Sequence, residues 1–379
     1  MHVFLKLGAM SYGGPAIMGL MQAEIQERRA WLSKERFVEG LALVNMLPGA
    51  GATQLGIFLG YMRAGWWGGL LAGVCFILPA FFIMLALTWL YLQYGALPAM
   101  RQVFYGLNPV VVAIFALAVI RLGKAAITDR RQILIALAAT AAMAFTPLGL
   151  VWLLLLAGAV GVALYGARRA GVIALVVLAL VIAVVETVAP QALLPAAMTA
   201  DSGADAPRLS DIFLFFFKVG AFTFGGGLSM LAFMQDQVVN QFQWLTPQEF
   251  LDGLALGQLT PGPILMLAAF VGYKLDALWG ALIGGAAIFL PSFILMLTLL
   301  PMWRRVAAIR WMRAALKGIG PAVIGMIAVA LLRMLPAALP DLPTAVILLV
   351  TLALLWRLRA SPLLLMLGGG GVGLALGGI

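Results

Sequence analysis

Long apolar runs with few polar positions dominate the chain. GGLLAGVCFILPAFFIMLALTWL (residues 68–90) and GVIALVVLALVIAVVETVA (171–189) are typical. A run near 20 residues is what an α-helix needs to cross about 30 Å of hydrocarbon. The two-residue alternation of a membrane β-strand is not the pattern here. The predicted fold class is therefore an all-α polytopic membrane protein. Two kinds of interruption break the apolar pattern: glycine pairs in SYGGPAIMG (11–19) and TFGGGLSMLA (223–232), and proline-glycine in MLPGAG (46–51) and LTPGPI (259–264).

The interruptions recur because the chain is written twice. KLGAMSYGGP (6–15) aligns with KVGAFTFGGG (218–227), and WLSKERFVEGLALVNMLPGA (31–50) with WLTPQEFLDGLALGQLTPGP (244–263). Pro79 and Pro109 align with Pro291 and Pro321. We read a first repeat over 1–170, an extra helix and external linker over 171–210, and a second repeat over 211–379. An odd extra span turns the second copy over, giving an inverted-topology repeat, which is a transporter pattern more than an enzyme one.

Basic residues should mark cytoplasmic loops. Arg121, Lys124, Arg130, Arg131, Arg168 and Arg169 do so in the first repeat, and the segments 303–317 and 356–360 in the second. The loop 24–39 carries Arg28, Arg29, Lys34 and Arg36, whereas its twin 235–249 has no Lys or Arg. That contrast favours Gly/Pro-broken re-entrant hairpins over full crossings. The expected count is nine spans plus four hairpins, with thirteen full spans as the alternative.

Broken backbone at membrane depth is tolerated where protein or a watery cavity satisfies it. A helix starting after a break has unpaired N–H groups and about half a positive charge at its N-terminus, so it can hold an anion. The expected cradle uses backbone near Gly13, Gly14, Gly225 and Gly226, with Pro48, Gly49 and Gly262 at the second pair of breaks. Ser11 and Thr223, Asn45 and Gln258, and Thr260 are candidate polar ligands; packing or back-bonding to the preceding turn is the plainer alternative. Lys6 and Lys218, each five residues before the paired hydroxyls, are candidate anion attractors. Glu39 and Asp252 match between repeats and are candidates for proton coupling, although TPQE (246–249) is a capping box whose helix start an acidic residue would also complement.

Composition adds exclusions. With 64% hydrophobic residues and a net charge of +10, the basic residues lie at the ends of apolar segments, which speaks for membrane orientation and against nucleic acid. The single Cys75 excludes an intrachain disulfide, and one histidine supports no His-based metal or catalytic site. No cofactor, metal or enzymatic activity is expected. No removable signal peptide is expected either.

LKLGAMSYGGP, RRAWLSKERFVEGLALVNMLPGAGATQLGIFLGYMRAGWWGG, FFFKVGAFTFGGGLSMLAFM and WLTPQEFLDGLALGQLTPGPILMLAAFVGY together resemble the chromate ion transporter (CHR) family in its two-domain long-chain form. The resemblance implies a multi-pass protein of a bacterial-type cytoplasmic (inner) membrane that exports chromate, with sulfate as analogue or alternative substrate. Its expected partners are that anion and the lipid bilayer, with a homodimer as an open assembly state. Two departures stand out: PGAG replaces the PGP of the second repeat, and Gly227 stands where the first repeat has Pro15. Residues alone reach an inverted-repeat anion transporter. A passive anion channel and a membrane-embedded enzyme or lipid scaffold stay as alternatives.

Overall fold

The computed structural model describes residues 1–10, 14–146, 148–188, 207–224, 227–302, 310–358 and 360–376. The regular elements among them are all helical. The first repeat contains α1 (His2–Met10), α2 (Gly14–Met21) continuing into a π-helical turn Gln22–Arg28, α3 (Lys34–Met46) and α4 (Gly51–Tyr94). It continues with α5 (Pro98–Ala126), α6 (Arg130–Phe145) and α7 (Leu150–Tyr165). After α8 (Arg168–Val188) the second repeat runs α9 (Leu209–Ala221), α10 (Ser229–Met234) with the π-helical turn Gln235–Gln241, α11 (Pro247–Leu259) and α12 (Leu267–Leu299). It ends with α13 (Arg310–Ala338), α14 (Leu342–Arg357) and α15 (Pro362–Leu376). Elements α1–α7 correspond in order to α9–α15, and α8 has no counterpart among the described residues.

Local chemistry explains many of the boundaries. Asp129 and Asp341 occupy equivalent N-caps, each closing a capping box at the start of α6 and α14. Thr246 and Glu249 form the predicted capping box of α11, with Pro247 in its first turn.

All four interrupted segments fold back on themselves. In the glycine-pair segments the Phe4 ring lies 6.3 Å from Trp31, and Phe215 lies 5.8 Å from Phe242 and 5.2 Å from Trp244. Residues before each break thus meet residues well after it. In the proline-glycine segments Gly40 faces the Phe58 ring and Gly253 the Phe270 ring. Helices α3 and α11 have 13 residues each, which at 1.5 Å per residue is about 20 Å, short of a hydrocarbon core of about 30 Å. The predicted re-entrant hairpins are the arrangement found.

Helix α4 contains a reversal of its own. Ala64 and Gly65 leave helical geometry, and Gly60 is pressed on Gly68; in α12, Asp276 and Ala277 do the same, with Gly272 on Gly280. Gly65 takes its left-handed φ of 63° freely, whereas its counterpart Ala277 holds 39° with a Cβ. Each reversal joins a short returning helix to a long span.

The long parts of α4 and α12 cross antiparallel. Gly69 meets Leu297, Gly73 meets Phe293, and Gly285 meets Phe81, so numbering rises on one helix as it falls on the other. Helices α5 and α13 behave alike: the Tyr105 hydroxyl donates to Asp341 at 2.6 Å, while Gly123 approaches Ile324 and Gly320 approaches Ala126. Equivalent helices therefore run in opposite directions, as an inverted repeat requires.

The repeats also interlock. Helix α5 packs on α14 and α15 of the other repeat, and α13 packs on α6 and α7. Glycines make these crossings close: Gly106 lies on Gly369 and Gly373, and Gly318 lies on Ala157 and Gly161. Among the described residues four helices are long and apolar enough to cross a membrane, and α7, α14 and α15 are shorter apolar helices.

One end of the bundle is basic. There Arg131 donates to the Leu164 carbonyl, Gln132 to the Lys317 carbonyl, and Arg63 lies over Trp31. Loop 24–39 is at this end, and loop 235–249 is at the other, where Lys274 pairs with Glu249. Single cysteines at the exposed positions Ala30 and Asn240, in a chain whose buried Cys75 is replaced by Ala, are expected to react with an impermeant maleimide from opposite sides of the membrane. Labelling from one side would contradict the inverted hairpins.

Candidate functional site: the junction of the broken helices

The tip of the first proline-glycine hairpin is held by the second repeat. Gly49 adopts a φ of 125°, in the region that favours glycine. Its N–H donates to the Thr223 carbonyl at 2.6 Å, and the Ala50 N–H donates to Ser292 Oγ at 2.8 Å. Within the tip, Gln54 Nε2 donates to the Pro48 carbonyl at 2.6 Å. Thr223 belongs to the glycine-pair break of the second repeat, and Ser292 follows Pro291 in α12.

The reciprocal tip lies against the first repeat. Gly262, with φ 114°, is backed by Ala80 and by the carbonyl of Gly8 on α1. Ala80 occupies on α4 the position that Ser292 occupies on α12. Both tips therefore lie where α4 and α12 cross. Because α4 begins at Gly51, the N–H groups of Gly51, Ala52 and Thr53 are in its first turn and lack intrahelical acceptors. Such a turn can donate to an anion.

The candidates read from sequence divide as follows. Pro48, Gly49 and Gly262 are at the junction, and Gly14 opens α2. Thr223 and Thr260 are buried, but their hydroxyls donate to the carbonyls of Val219 at 2.6 Å and Leu256 at 2.8 Å, the preceding turn. Lys218 is half-buried on α9, and Gln258 is half-buried at the end of α11; Lys6 and Asn45 are exposed. Ser11, Gly13, Gly225 and Gly226 lie outside the described residues.

Sequence reading missed Ser292, Thr53 and Gln54. The signal was available, because the repeat aligns them with Ala80, Leu265 and Met266. Polar residues at only one copy of an apolar position call for an explanation.

A second polar cluster lies toward the end opposite the basic one. Asp252 on α11 is 6% exposed. It accepts from the Tyr91 hydroxyl at 2.8 Å, from Asn108 Nδ2 at 2.8 Å and from Gln248 Nε2 at 3.1 Å. Tyr91 and Asn108 belong to the first repeat, so this carboxylate ties the repeats together. It lines a cleft of about 380 Å³ shared with Arg101, Tyr105 and the end of α13. At the rim, the Tyr105 hydroxyl holds the Asp341 carboxyl below the usual carboxylate range, and the Thr344 N–H adds to it. Glu39, the repeat partner of Asp252, is half-exposed with Arg36 at 3.8 Å.

The family described as Chromate transporter matches residues 1–162 and 210–374, one block in each repeat. The chain belongs to the chromate transporter family. A chromate transport protein of Cupriavidus metallidurans is 35% identical over 335 residues, covering 86% of this chain and 80% of that protein. A probable chromate transport protein of Synechococcus elongatus is 34% identical over 86% of this chain and 82% of its own length. A chromate transport protein of Pseudomonas aeruginosa is 34% identical, with 86% and 77% covered. No solved structure matches. Within the chromate transporter family match, the gap between the two blocks takes in α8, the helix without a counterpart.

Proposed function

We propose that this protein is a secondary transporter that exports a tetrahedral oxyanion, chromate in the first place, by alternating access around the junction of the broken helices. The observation that carries this reading is the seating of the Pro48-Gly49 tip on Thr223 and Ser292 of the inverted repeat. Movement of one repeat (1–170) against the other (211–379) would remake that contact and open the junction toward one face at a time. The helix N-termini would supply neutral N–H donors, and the half-buried Lys218 of α9 a candidate charge. The family membership and the relatives' names support chromate as cargo. Sulfate, equal to ionised chromate in shape and charge, is the analogue to compare.

The test is counterflow. Full-length protein in liposomes loaded with unlabelled chromate should take up labelled chromate to a transient overshoot. Uptake that only follows the electrochemical gradient would identify a channel, and no flux in folded protein would end the transport reading. In the same assay Lys218→Ala should weaken chromate affinity about three- to tenfold, or about 0.7–1.4 kcal/mol, with insertion unchanged. Unaltered affinity would remove Lys218 from the site.

Asp252 rather than Glu39 is the coupling carboxylate in this scheme, because it is buried, bridges the repeats and lines a cleft. Asp252→Asn should abolish the response of uptake to an imposed pH gradient while counterflow survives. A retained response would exclude Asp252.

A further inference from the structure

Gln54 is fully buried, at 0% exposure. Its contact with the Pro48 carbonyl at 2.6 Å can be made only by the amide nitrogen, which fixes the identity of the amide oxygen. Among the described residues that oxygen, Oε1, has no donor, and Oγ1 of the neighbouring Thr53, also at 0% exposure, has no partner. An unpaired buried acceptor gives up its hydration with no bond in return, and native proteins retain few.

The surroundings narrow what the acceptor is for. Gln54 is in the first turn of α4, beside the N–H groups of Gly51, Ala52 and Thr53, so the tip offers donors and an orphan acceptor together. A fully ionised oxyanion suits the donors and is repelled by the amide oxygen. An oxyanion that carries one hydroxyl satisfies both. The donors of the tip are neutral N–H and O–H groups, which also suit one negative charge better than two. At the reciprocal tip Leu265, Met266 and Ala80 stand where Thr53, Gln54 and Ser292 stand here, so only one of the two tips has the arrangement.

We propose that the first proline-glycine tip selects a protonated oxyanion, hydrogen chromate over chromate or sulfate, with Gln54 Oε1 accepting the hydrogen of the anion's hydroxyl. The inference rests on the oxyanion-transport reading above and adds the specificity that shape and charge cannot supply. Hydrogen chromate keeps its proton close to neutrality, whereas hydrogen sulfate is a far stronger acid and is fully ionised there.

The experiment is competition against chromate counterflow by the full-length protein in liposomes, at one fixed pH near neutrality so that the protein's own groups do not change. Sulfate and selenate serve as proton-free competitors, and hydrogen phosphate and hydrogen arsenate as proton-bearing ones. The proton-bearing pair is expected to inhibit at about tenfold lower concentration, because a site that pairs with a substrate hydroxyl rejects analogues lacking it. Gln54→Met, which installs the residue of the other repeat, is expected to narrow the gap to about twofold, whatever its residual rate. Equal inhibition by all four anions in the unaltered protein would overturn the proposal and leave Gln54 Oε1 to a bound water. An undiminished gap in folded Gln54→Met would overturn it too. The competitor order in the unaltered protein decides the matter should the variant fail to insert. Absence of counterflow altogether is a different result, since it removes the transport reading first.

Discussion

Gly49→Ala should stop counterflow while leaving most of the bundle in place. The residue holds φ 125°, a conformation that any Cβ disfavours. The new methyl would collide with Ser292 Oγ and stand 2.5 Å from Gln54 Nε2. Backbone strain of about 1–3 kcal/mol and overpacking of similar size together make about 2–6 kcal/mol, enough to depopulate the seated tip more than about thirtyfold. Relief requires the tip to lift off Thr223 and Ser292, which are the contacts the proposed cycle must make and break. Gly371→Ala is the control, because nothing lies within 4 Å of its Cβ position, and it should transport normally. Full counterflow in Gly49→Ala would take the tip out of the mechanism.

Gly106→Ala should instead damage the whole molecule. Its Cβ would fall on the Gly369 carbonyl oxygen and 2.8 Å from the Gly373 nitrogen, both backbone atoms of α15 that no rotamer change can move. The α5–α15 crossing would have to open, with loss of the close van der Waals contact that holds membrane helices together. We expect about 2–4 kcal/mol of destabilisation, read as a clear fall in melting temperature and in monodisperse yield after detergent extraction. Gly318→Ala, at the equivalent crossing of α13 with α7, should behave alike because it would meet the Ala157 carbonyl. A melting temperature within about a degree of the parent in both variants would mean that these crossings are looser than described.

Much of this architecture could be read from the chain because independent signals agreed. The missing Lys and Arg in 235–249, set against the basic 24–39 loop, pointed to hairpins, and the Phe4–Trp31 and Phe215–Trp244 contacts are such hairpins. The unpaired helix at 171–189 pointed to inversion, and α4 and α12 cross antiparallel. The interlock of α5 with α14 and α15 was not legible, since chain order favours neighbours as packing partners and glycines such as Gly106 and Gly369 do not name the surface they approach. At the site, Gly49 announced itself through its break. Ser292 showed only as a polar residue opposite Ala80 of the first repeat, and its role depends on which tip of the other repeat arrives beside it. Thr223 and Thr260 illustrate the reverse limit: a hydroxyl near a break looks the same in sequence whether it faces a ligand or bonds the preceding turn. Asp252 could be placed in the first turns of a capped helix, but its partners Tyr91 and Asn108 come from the other repeat.

The interlock also constrains how the protein is made. When α5 leaves the ribosome, the helices it must pack against have not been synthesised, and its glycine-lined face around Gly106 can meet only lipid. The first repeat must therefore wait in the bilayer, inserted but incomplete, until α14 and α15 have been made. Assembly of the first repeat thus depends on the second, and α14 and α15 seal the first repeat as well as their own.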